Sequence, residues 1–255
     1  MPFPFLRSRL RAASIHAGIS ALVAALASLL VFKVWYPSPF STIAGGAHLF
    51  LLLVSVDVVM GPALTAVVAN PGKRRGELVR DLSVIVTLQL AAFGYGLYSM
   101  ALARPVALIY ELVEFRVVTA AQLDPASLHE APPDLRDLSW RGPRVMAAVK
   151  PTDPQEQLRV VELGLAGIPL AAVPRYWRDY SAYAGAAWRT ARPVPALLAK
   201  YPASMQAVAR IAAAAGQPAA ALRFLPLRAR RAEWVALIAA PDARIVGYLP
   251  LDAFF

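Results

Sequence analysis

The stretch AGGAHLFLLLVSVDVVMGPALTAVVA, residues 44–69, decides the fold because it is a long apolar run that contains an acid and a Gly-Pro pair. As a helix rising 1.5 Å per residue, it is long enough to cross the roughly 30 Å of a bilayer's hydrocarbon core. Asp57 lies near its centre. An acid at that depth costs about 2.5–3.5 kcal/mol on insertion scales and usually faces protein. The stretch therefore predicts a membrane-spanning helix with a protein neighbour.

Two further apolar runs flank this stretch, at 15–36 and 82–103. Charge, proline and polar residues return at ordinary density from Arg104 onward. The first run follows three arginines and could be a signal peptide, but its length and its lack of a small-residue cleavage site favour a retained span. The predicted organisation is a basic N-terminus (1–14), a three-helix transmembrane region (15–103, spans about 15–36, 44–69 and 82–103, loop 70–81) and a water-exposed domain (104–255).

Most of the basic residues that flank the spans lie on one side, and Lys33, near the outer end of span one, is expected to reach the headgroups. The residues on that one side are Arg7, Arg9 and Arg11 before the first span and Lys73, Arg74, Arg75 and Arg80 in the loop 70–81, whereas the turn PSPFSTI is uncharged. The positive-inside rule then predicts a cytoplasmic N-terminus and an extracytoplasmic domain 104–255. Trp35 and Tyr36, at the outer end of span one, suit an interfacial aromatic belt.

The composition argues against several classes of function. The net charge is +10, but much of it lies in the flanks of the spans, and no basic-aromatic interleaving indicates a nucleic-acid partner. The chain has no cysteine, and its three histidines form no ligand-spaced pair. No nucleotide-binding loop, nucleophile elbow or zinc-protease motif occurs. We therefore predict no catalytic residue, no cofactor site and no metal site.

The domain 104–255 is predicted to be a small α+β unit. Strand candidates are 106–119 (one long or two short strands), 143–150 and three closing segments from ALRFLPLRAR onward, of which the last two form a hairpin turning at Pro241-Asp242. Asp153 and Pro154 predict the start of a helix that runs to residue 165. Three short Ala-rich helices lie between the strand groups.

The segment PRYWRDYSAY, 174–183, concentrates aromatic and arginine side chains. Interfaces use such residues, so Tyr176, Trp177 and Tyr180 are candidate partner contacts. The alternative is that these aromatics pack under a proline-rich loop, and the sequence favours neither.

In the membrane region, Asp57, Gly61 and Pro62 form the second candidate site. Pro62 removes a helix hydrogen bond near residue 58, and Gly61 permits close approach of another helix. One interpretation ties Asp57 to span three, through Gln89, Ser83, Thr87 or Tyr95. The other makes the three residues a polar docking point for a partner helix.

The chain resembles the type IV pilin accessory proteins of the TfpX/TfpZ type. The resemblance is carried by RLRAASIHAGIS, VFKVWYPSPF, AGGAHLFLLLVSVDVVMGPALT, the run from NPGKRRGELVRD to FRVVTA, and the terminal GYLPLDAF. It implies an inner-membrane protein of a Gram-negative bacterium that acts on the major pilin to support pilus assembly. It implies no catalytic residue and no cofactor.

The sequence and the resemblance together predict a non-enzymatic inner-membrane accessory protein whose partner is the major type IV pilin, with other inner-membrane assembly components as further partners. Before assembly, pilins are anchored in the membrane by one apolar helix. A partner with helix-binding faces suits such an anchor. The alternatives are a pilin-modifying membrane enzyme of glycosyltransferase type, for which no acidic metal-ligand set is visible, and a small membrane sensor, which lacks a cytoplasmic output domain.

Overall fold

A computed structural model of the chain describes residues 3–69, 72–229 and 233–255. The chain divides into a helical unit, Met1–Ala103, and a sheet-containing unit, Arg104–Phe255. The three apolar helices and the sheet-containing domain that the sequence predicts are both present.

Among its described residues, the helical unit contains three helices that are long and apolar enough to cross a membrane: Arg9–Trp35, Gly46–Val68 and Arg75–Ala103. We call them the first, second and third apolar helices. Their elements are α1 (Phe3–Leu29) with a π-helical segment (Leu30–Trp35), the short α2 (Phe40–Ile43), α3 (Gly46–Ser55), a π-helical segment (Val56–Met60), α4 (Gly61–Val68) and α5 (Arg75–Ala103).

The helices extend beyond the apolar runs at two ends. Helix α1 already includes most of the predicted N-terminal segment 1–14, and α5 begins at Arg75, inside the predicted loop 70–81, of which residues 70 and 71 lie outside the described residues. The extensions are rich in Arg, Leu and Glu, which are good helix formers. Hydropathy marks the part of a helix suited to lipid, whereas helicity continues into the charged flank.

The second apolar helix passes Pro62 without a break. Pro62 has no N–H to donate to the carbonyl of Val58, but the π-helical segment Val56–Met60 lies just before it, and Pro62 occupies the first turn of α4. A π-helical turn changes the hydrogen-bond register locally, and a proline is tolerated in a first turn. The expected interruption is therefore a local widening of the helix.

Tyr36 joins the turn after the first apolar helix to the third. Its side chain is fully buried, and its hydroxyl donates to the carbonyl of Met100 at 2.9 Å. Gly46 leaves the space for the ring, because a Cβ at that position would overlap the ring carbons of Tyr36. The pair thus accounts for a glycine at the start of α3.

In the described residues, the second unit is built on an eight-stranded mixed sheet with four α-helices. The strands are β1 (Pro105–Glu111), β2 (Glu114–Thr119), β3 (Arg144–Ala148), β4 (Trp177–Asp179), β5 (Arg192–Pro193), β6 (Arg223–Arg228), β7 (Glu233–Ala239) and β8 (Arg244–Leu249). The helices are α6 (Pro154–Leu165), α7 (Ala184–Thr190), α8 (Val194–Lys200) and α9 (Met205–Ala214). The strand order is β4-β3-β1-β2-β6-β7-β8, and β5 pairs with β6. The pairs β1–β3 and β2–β6 are parallel, and the others are antiparallel.

The main predicted elements of this unit are confirmed. The run 106–119 forms two strands in a hairpin, which turns at Leu112 with a positive φ of 56°. The Asp153 carboxylate caps α6 by accepting from the backbone N–H groups of Gln155 and Glu156, both at 3.0 Å. The sequence does not predict β4 and β5, because strands of two or three residues are too short to show a hydrophobic alternation.

Two apolar clusters cover the sheet. One joins β1, β2 and β3 to Leu123, Leu135 and Trp177. The other joins β6, β7 and β8 to α8 and α9 through Val194, Leu197 and Val208. Each half of the sheet thus has its own core.

Phe115 provides a test of this packing. It is fully buried in β2, and its ring contacts those of Tyr110 and Tyr180, with centroids 5.9 and 5.8 Å apart. We expect Phe115→Ala to lower the free energy of unfolding by about 3–5 kcal/mol, the usual cost of deleting a buried phenylalanine. Denaturant unfolding of the full chain in detergent, followed by near-UV circular dichroism, measures the change.

The matched control for Phe115→Ala is Leu158→Ala on α6, because the Leu158 side chain is exposed. That change should stay within about 0.5 kcal/mol of the parent protein. Equal effects of the two substitutions would contradict the described core.

Candidate functional site

Two polar residues of the second apolar helix, Asp57 and Thr65, lie with Gly61 on one buried face. Asp57, Gly61 and Thr65 are four residues apart, and all three are buried, Asp57 with 8% of its surface exposed. Helix α4 packs against both α1 and α5. The face therefore lies between two neighbours, which is the setting that an acid in an apolar helix requires.

Hydrogen bonds join this face to both neighbouring helices. On one side, Thr65 Oγ1 lies 2.6 Å from His16 Nδ1 of α1. On the other, Gln89 Nε2 of α5 donates to the backbone carbonyl of Asp57 at 3.4 Å. Gly61 is the close-approach point, because a Cβ there would collide with the Gln89 amide. Asp57 and Gly61 thus meet the third helix at one residue, Gln89.

Of the four residues proposed from the sequence to tie Asp57 to span three, the structure brings Gln89 to it. Ser83 and Thr87 are exposed on α5. Tyr95 is largely exposed and lines a smaller cavity of about 260 Å³ between α3 and α5, which also reaches Asp57. The contact between Asp57 and the third apolar helix is therefore present, and Asp57 also borders cavities.

A larger groove opens between α1 and α5, with the second apolar helix as its floor. Its volume is about 500 Å³. We call it the membrane-region groove. The floor includes Asp57 and Thr65, and His16 and Gln89 lie beside it. The apolar walls are Ile15, Ile19 and Val23 of α1 and Leu82, Val86, Leu90 and Phe93 of α5. This shape is that of a trough with apolar sides and a polar base.

The base of the groove is rich in hydrogen-bond acceptors. The Gln89 Oε1 atom is buried and accepts no hydrogen bond from any described residue. The Asp57 carboxyl group also lines the groove and adds acceptor oxygens, and the Gln89 side chain is its hydrogen-bond partner. Thr65 is engaged with His16. An apolar helix that carries a hydrogen-bond donor has the complementary chemistry, because an unmet polar group is costly in an apolar medium.

In the sheet-containing unit, the structure buries two of the three aromatic candidates. Trp177 is fully buried, and its Nε1 donates to the carbonyl of Ala171 at 2.8 Å. Tyr176 is buried, and its hydroxyl donates to the Glu156 carboxylate at 2.5 Å. These two residues match the packing interpretation, and they present no surface to a partner in this structure.

Tyr180 is half-buried and donates to the carbonyl of Ala243 at 2.8 Å. It borders an open cavity of about 580 Å³, together with Asp242 and Tyr248. Whether the segment 174–183 contacts a partner stays a prediction, and only its exposed side chains could do so.

Ion pairs fix the aromatic segment to its surroundings. The Arg175 guanidinium contacts the Glu130 carboxylate at 3.0 Å and the Glu156 carboxylate at 2.9 Å. Burial, and then the hydrogen bond to the Glu156 carboxylate, raise the pKa of Tyr176 to about 12. Arg175 and Tyr176 thus have structural partners within this unit.

Sequence reasoning missed two residues of the membrane-region groove. Thr65 could have been found from its four-residue spacing to Gly61 and Asp57. His16 offered no signal, because its partner lies 49 residues away in the chain.

The known proteins that this chain resembles are fimbrial assembly proteins. A family model described as "Fimbrial assembly protein FimB" matches residues 4–45. Over 242 residues the chain is 34% identical to the fimbrial assembly protein of serogroup I from Dichelobacter nodosus, which covers 94% of each chain. The chain belongs to the fimbrial assembly protein family. The FimB-type match covers the whole first apolar helix and the turn that follows it.

Two further relatives in this fimbrial assembly family come from the same organism. The serogroup E1 protein is 33% identical over 242 residues, again 94% of each chain. The protein of serogroups C1 and C2 is 45% identical over 109 residues, which are 43% of this chain and 83% of that protein. No solved structure matches the chain. The narrower resemblance to TfpX/TfpZ proteins stays a prediction.

Gly61 tests the packing of the second and third apolar helices. Gly61→Leu should weaken that contact by about 1–3 kcal/mol, the usual cost of overpacking, because its side chain would displace Gln89. Since the chain has no native cysteine, cysteines introduced at Leu53 and Gly96, which face each other, can report the contact through a short thiol crosslinker.

We expect Gly61→Leu to reduce the yield of this crosslink. Gly18→Leu is the matched control, because a Cβ at Gly18 meets no atom within 4 Å. An unchanged yield in Gly61→Leu would contradict the described contact.

Tyr176 provides a pH-dependent test of the packing interpretation. Tyr176→Phe should lower the free energy of unfolding by about 1–3 kcal/mol, the range for a buried hydrogen bond to a charged group. Because the folded-state pKa is raised to about 12 from an unfolded value near 10, the phenol's contribution is complete below pH 10 and is lost as the pH rises from 10 to 12.

Denaturant unfolding at several pH values measures the difference between the parent protein and Tyr176→Phe. Tyr183→Phe is the control, because the Tyr183 hydroxyl makes no hydrogen bond to any described residue. A difference that persists unchanged at pH 12 would show that the phenol is not protonated in this way.

Proposed function

We propose that this fimbrial assembly protein is an inner-membrane accessory protein that associates with the major type IV pilin and supports pilus assembly without catalysing a reaction. The names of its relatives, which are fimbrial assembly proteins, support a role in pilus assembly. The membrane-region groove is the observation that carries the finer proposal. A trough with apolar sides suits a single apolar helix, which is how pilins are held in the membrane.

The proposed orientation follows the charges that flank the apolar helices. Arg7, Arg9 and Arg11 lie at the N-terminal end of the first, and Lys73 and Arg74 precede the third. The positive-inside rule puts both flanks in the cytoplasm. With three crossings, the sheet-containing unit is then periplasmic, on the side of the membrane where a pilin carries its globular domain.

The chemistry of the groove defines the kind of helix it would accept. Its walls are aliphatic and aromatic, and its base offers the Asp57 carboxyl group and the Gln89 carbonyl oxygen as acceptors. We propose that the bound pilin helix is apolar and places a hydrogen-bond donor at the depth of Asp57. Such a hydrogen bond would offset the cost of burying the Asp57 carboxyl group. It would also fix the register of the pilin helix in the groove, because few positions in an apolar helix carry a donor.

Site-specific photo-crosslinking in piliated cells tests this proposal. A photoreactive amino acid is introduced at Ile19 or Leu90, which line the groove, and in parallel at Leu22 or Leu88, which are exposed on the same two helices but do not line it. The groove positions should give an adduct with the major pilin, and the other two should give little. No adduct from the groove, or equal adducts from both sets, would contradict docking in the groove.

Asp57→Asn separates the internal role of the acid from its role toward the partner. The amide keeps the shape and one acceptor oxygen, so the stability of the purified protein should stay close to that of the parent. The pilin adduct at Ile19 should weaken, and piliation should fall with it. A loss of folding instead would indicate that Asp57 serves the internal packing of the three helices.

A further inference from the structure

Trp140 is the exposed tryptophan of the sheet-containing unit. It exposes 59% of its surface, whereas Trp177 and Trp234 are buried and Trp188 is partly covered. One face of the Trp140 ring is occupied, because the guanidinium carbon of Arg104 lies 4.1 Å from its centroid. The ring nevertheless stays largely exposed.

Arg104 has a fixed place in the chain. It directly follows Ala103, the last residue of the third apolar helix, and Pro105 directly begins β1. No linker separates the helix from the strand. If the helix spans a bilayer, as proposed above, Arg104 is therefore where the chain leaves the hydrocarbon, and a residue that stacks on Arg104 is held at the same depth.

The loop that carries Trp140 is basic at its surface. Arg136, Arg141 and Arg144 are exposed on it. Two of these arginines are oriented by the backbone: Arg136 Nε donates to the carbonyl of Ala131 at 3.0 Å, and an Arg144 terminal nitrogen donates to that of Asp134 at 2.6 Å. The surface thus carries three exposed arginines, of which Arg144 begins β3, against two acids of the loop, Asp134 and Asp137. Arg104 itself is buried.

We infer that Trp140 and Arg141 form a docking surface for the phospholipid headgroup layer, and that the buried Arg104, on which Trp140 stacks, holds this surface close to the end of the third apolar helix. Indole rings are favoured at that layer, where one part of the ring is apolar and the N–H can find a polar partner. Guanidinium groups pair well with phosphate oxygens, and an anionic surface attracts exposed arginines. The inference rests on the proposed membrane location and adds to it a lipid contact made by the sheet-containing unit.

Fluorescence quenching in vesicles tests this inference. The full chain is reconstituted in phosphatidylcholine–phosphatidylglycerol vesicles whose acyl chains are brominated close to the headgroup. The difference between the parent protein and Trp140→Phe gives the Trp140 contribution, and most of that contribution should be lost to the brominated lipid. Trp188→Phe is the matched control, because Trp188 also stacks on an arginine, Arg223 at 5.0 Å, outside this surface.

A tryptophan introduced by Tyr98→Trp separates a failure of this inference from a failure of the proposed membrane location. Tyr98 is largely exposed near the end of the third apolar helix, whereas the native Trp35 is buried among the helices. The fluorescence that Tyr98→Trp adds should be quenched whenever the helices are inserted. Quenching at position 98 without quenching of Trp140 would overturn the docking surface and keep the membrane location. If neither is quenched, both are overturned.

A spin label gives an independent measurement that leaves Trp140 in place. Because the chain has no cysteine, Arg141→Cys carries the only label. In the same vesicles, a water-soluble paramagnetic reagent should reach the label much less than it reaches a label at Arg189→Cys, which is exposed on α7 outside the surface. Equal access of the reagent to the two labels would also overturn the inference.

Discussion

An acid in the middle of an apolar helix is the constraint on which the helical unit depends. An acid cannot face an apolar medium cheaply, so an apolar helix with Asp57 at its middle needs polar neighbours on that side. The structure meets the need with Gln89 of α5, and it extends the same face through Gly61 and Thr65 to His16 of α1. A buried stripe with four-residue spacing thus brings three helices together.

Small residues and polar residues have separate roles in this assembly. Gly46, Gly61 and Gly96 each leave space for one side chain of a neighbouring element: Tyr36, Gln89 and Leu53, respectively. Between apolar helices in lipid, the hydrophobic effect gives no drive to associate, so close packing and hydrogen bonds must supply it. The glycines allow the close approach, and the polar contacts fix which face is used.

The sheet-containing unit meets the same requirement at its β1–β2 hairpin. Glu111 is buried, yet its carboxylate pairs with Arg116 and accepts the backbone N–H of Ala171 at 2.7 Å. Glu114 pairs with Arg116 at 2.7 Å and with Arg228 of β6 at 3.1 Å. A carboxylate with partners on several sides tolerates burial, because its lone pairs are satisfied. The network joins the hairpin to β6, where the sheet continues.

Which parts of this structure a sequence can predict depends on how local their causes are. Hydropathy predicts the apolar helices, alternation predicts the long strands, and Asp153-Pro154 predicts the start of α6, since each depends on neighbouring residues. The predicted helix ends were less accurate. Helix α5 begins at Arg75, because charged residues are disfavoured in lipid but are compatible with a helix. The contact of His16 with Thr65 could not be predicted from the sequence, since it depends on how two helices that are distant in the chain pack together.

The two candidate sites show why composition alone does not identify a binding surface. In the segment 174–183, aromatic and arginine residues gather as they do in interfaces, yet Tyr176, Trp177 and Arg175 each have partners within their own unit. At Asp57 the internal partner is present but incomplete, because the Gln89 carbonyl oxygen remains without a donor and the acid borders open cavities. A satisfied polar group supports the fold. A group that stays partly unsatisfied within an apolar groove is a better indication of a partner, because its free energy improves when the partner binds.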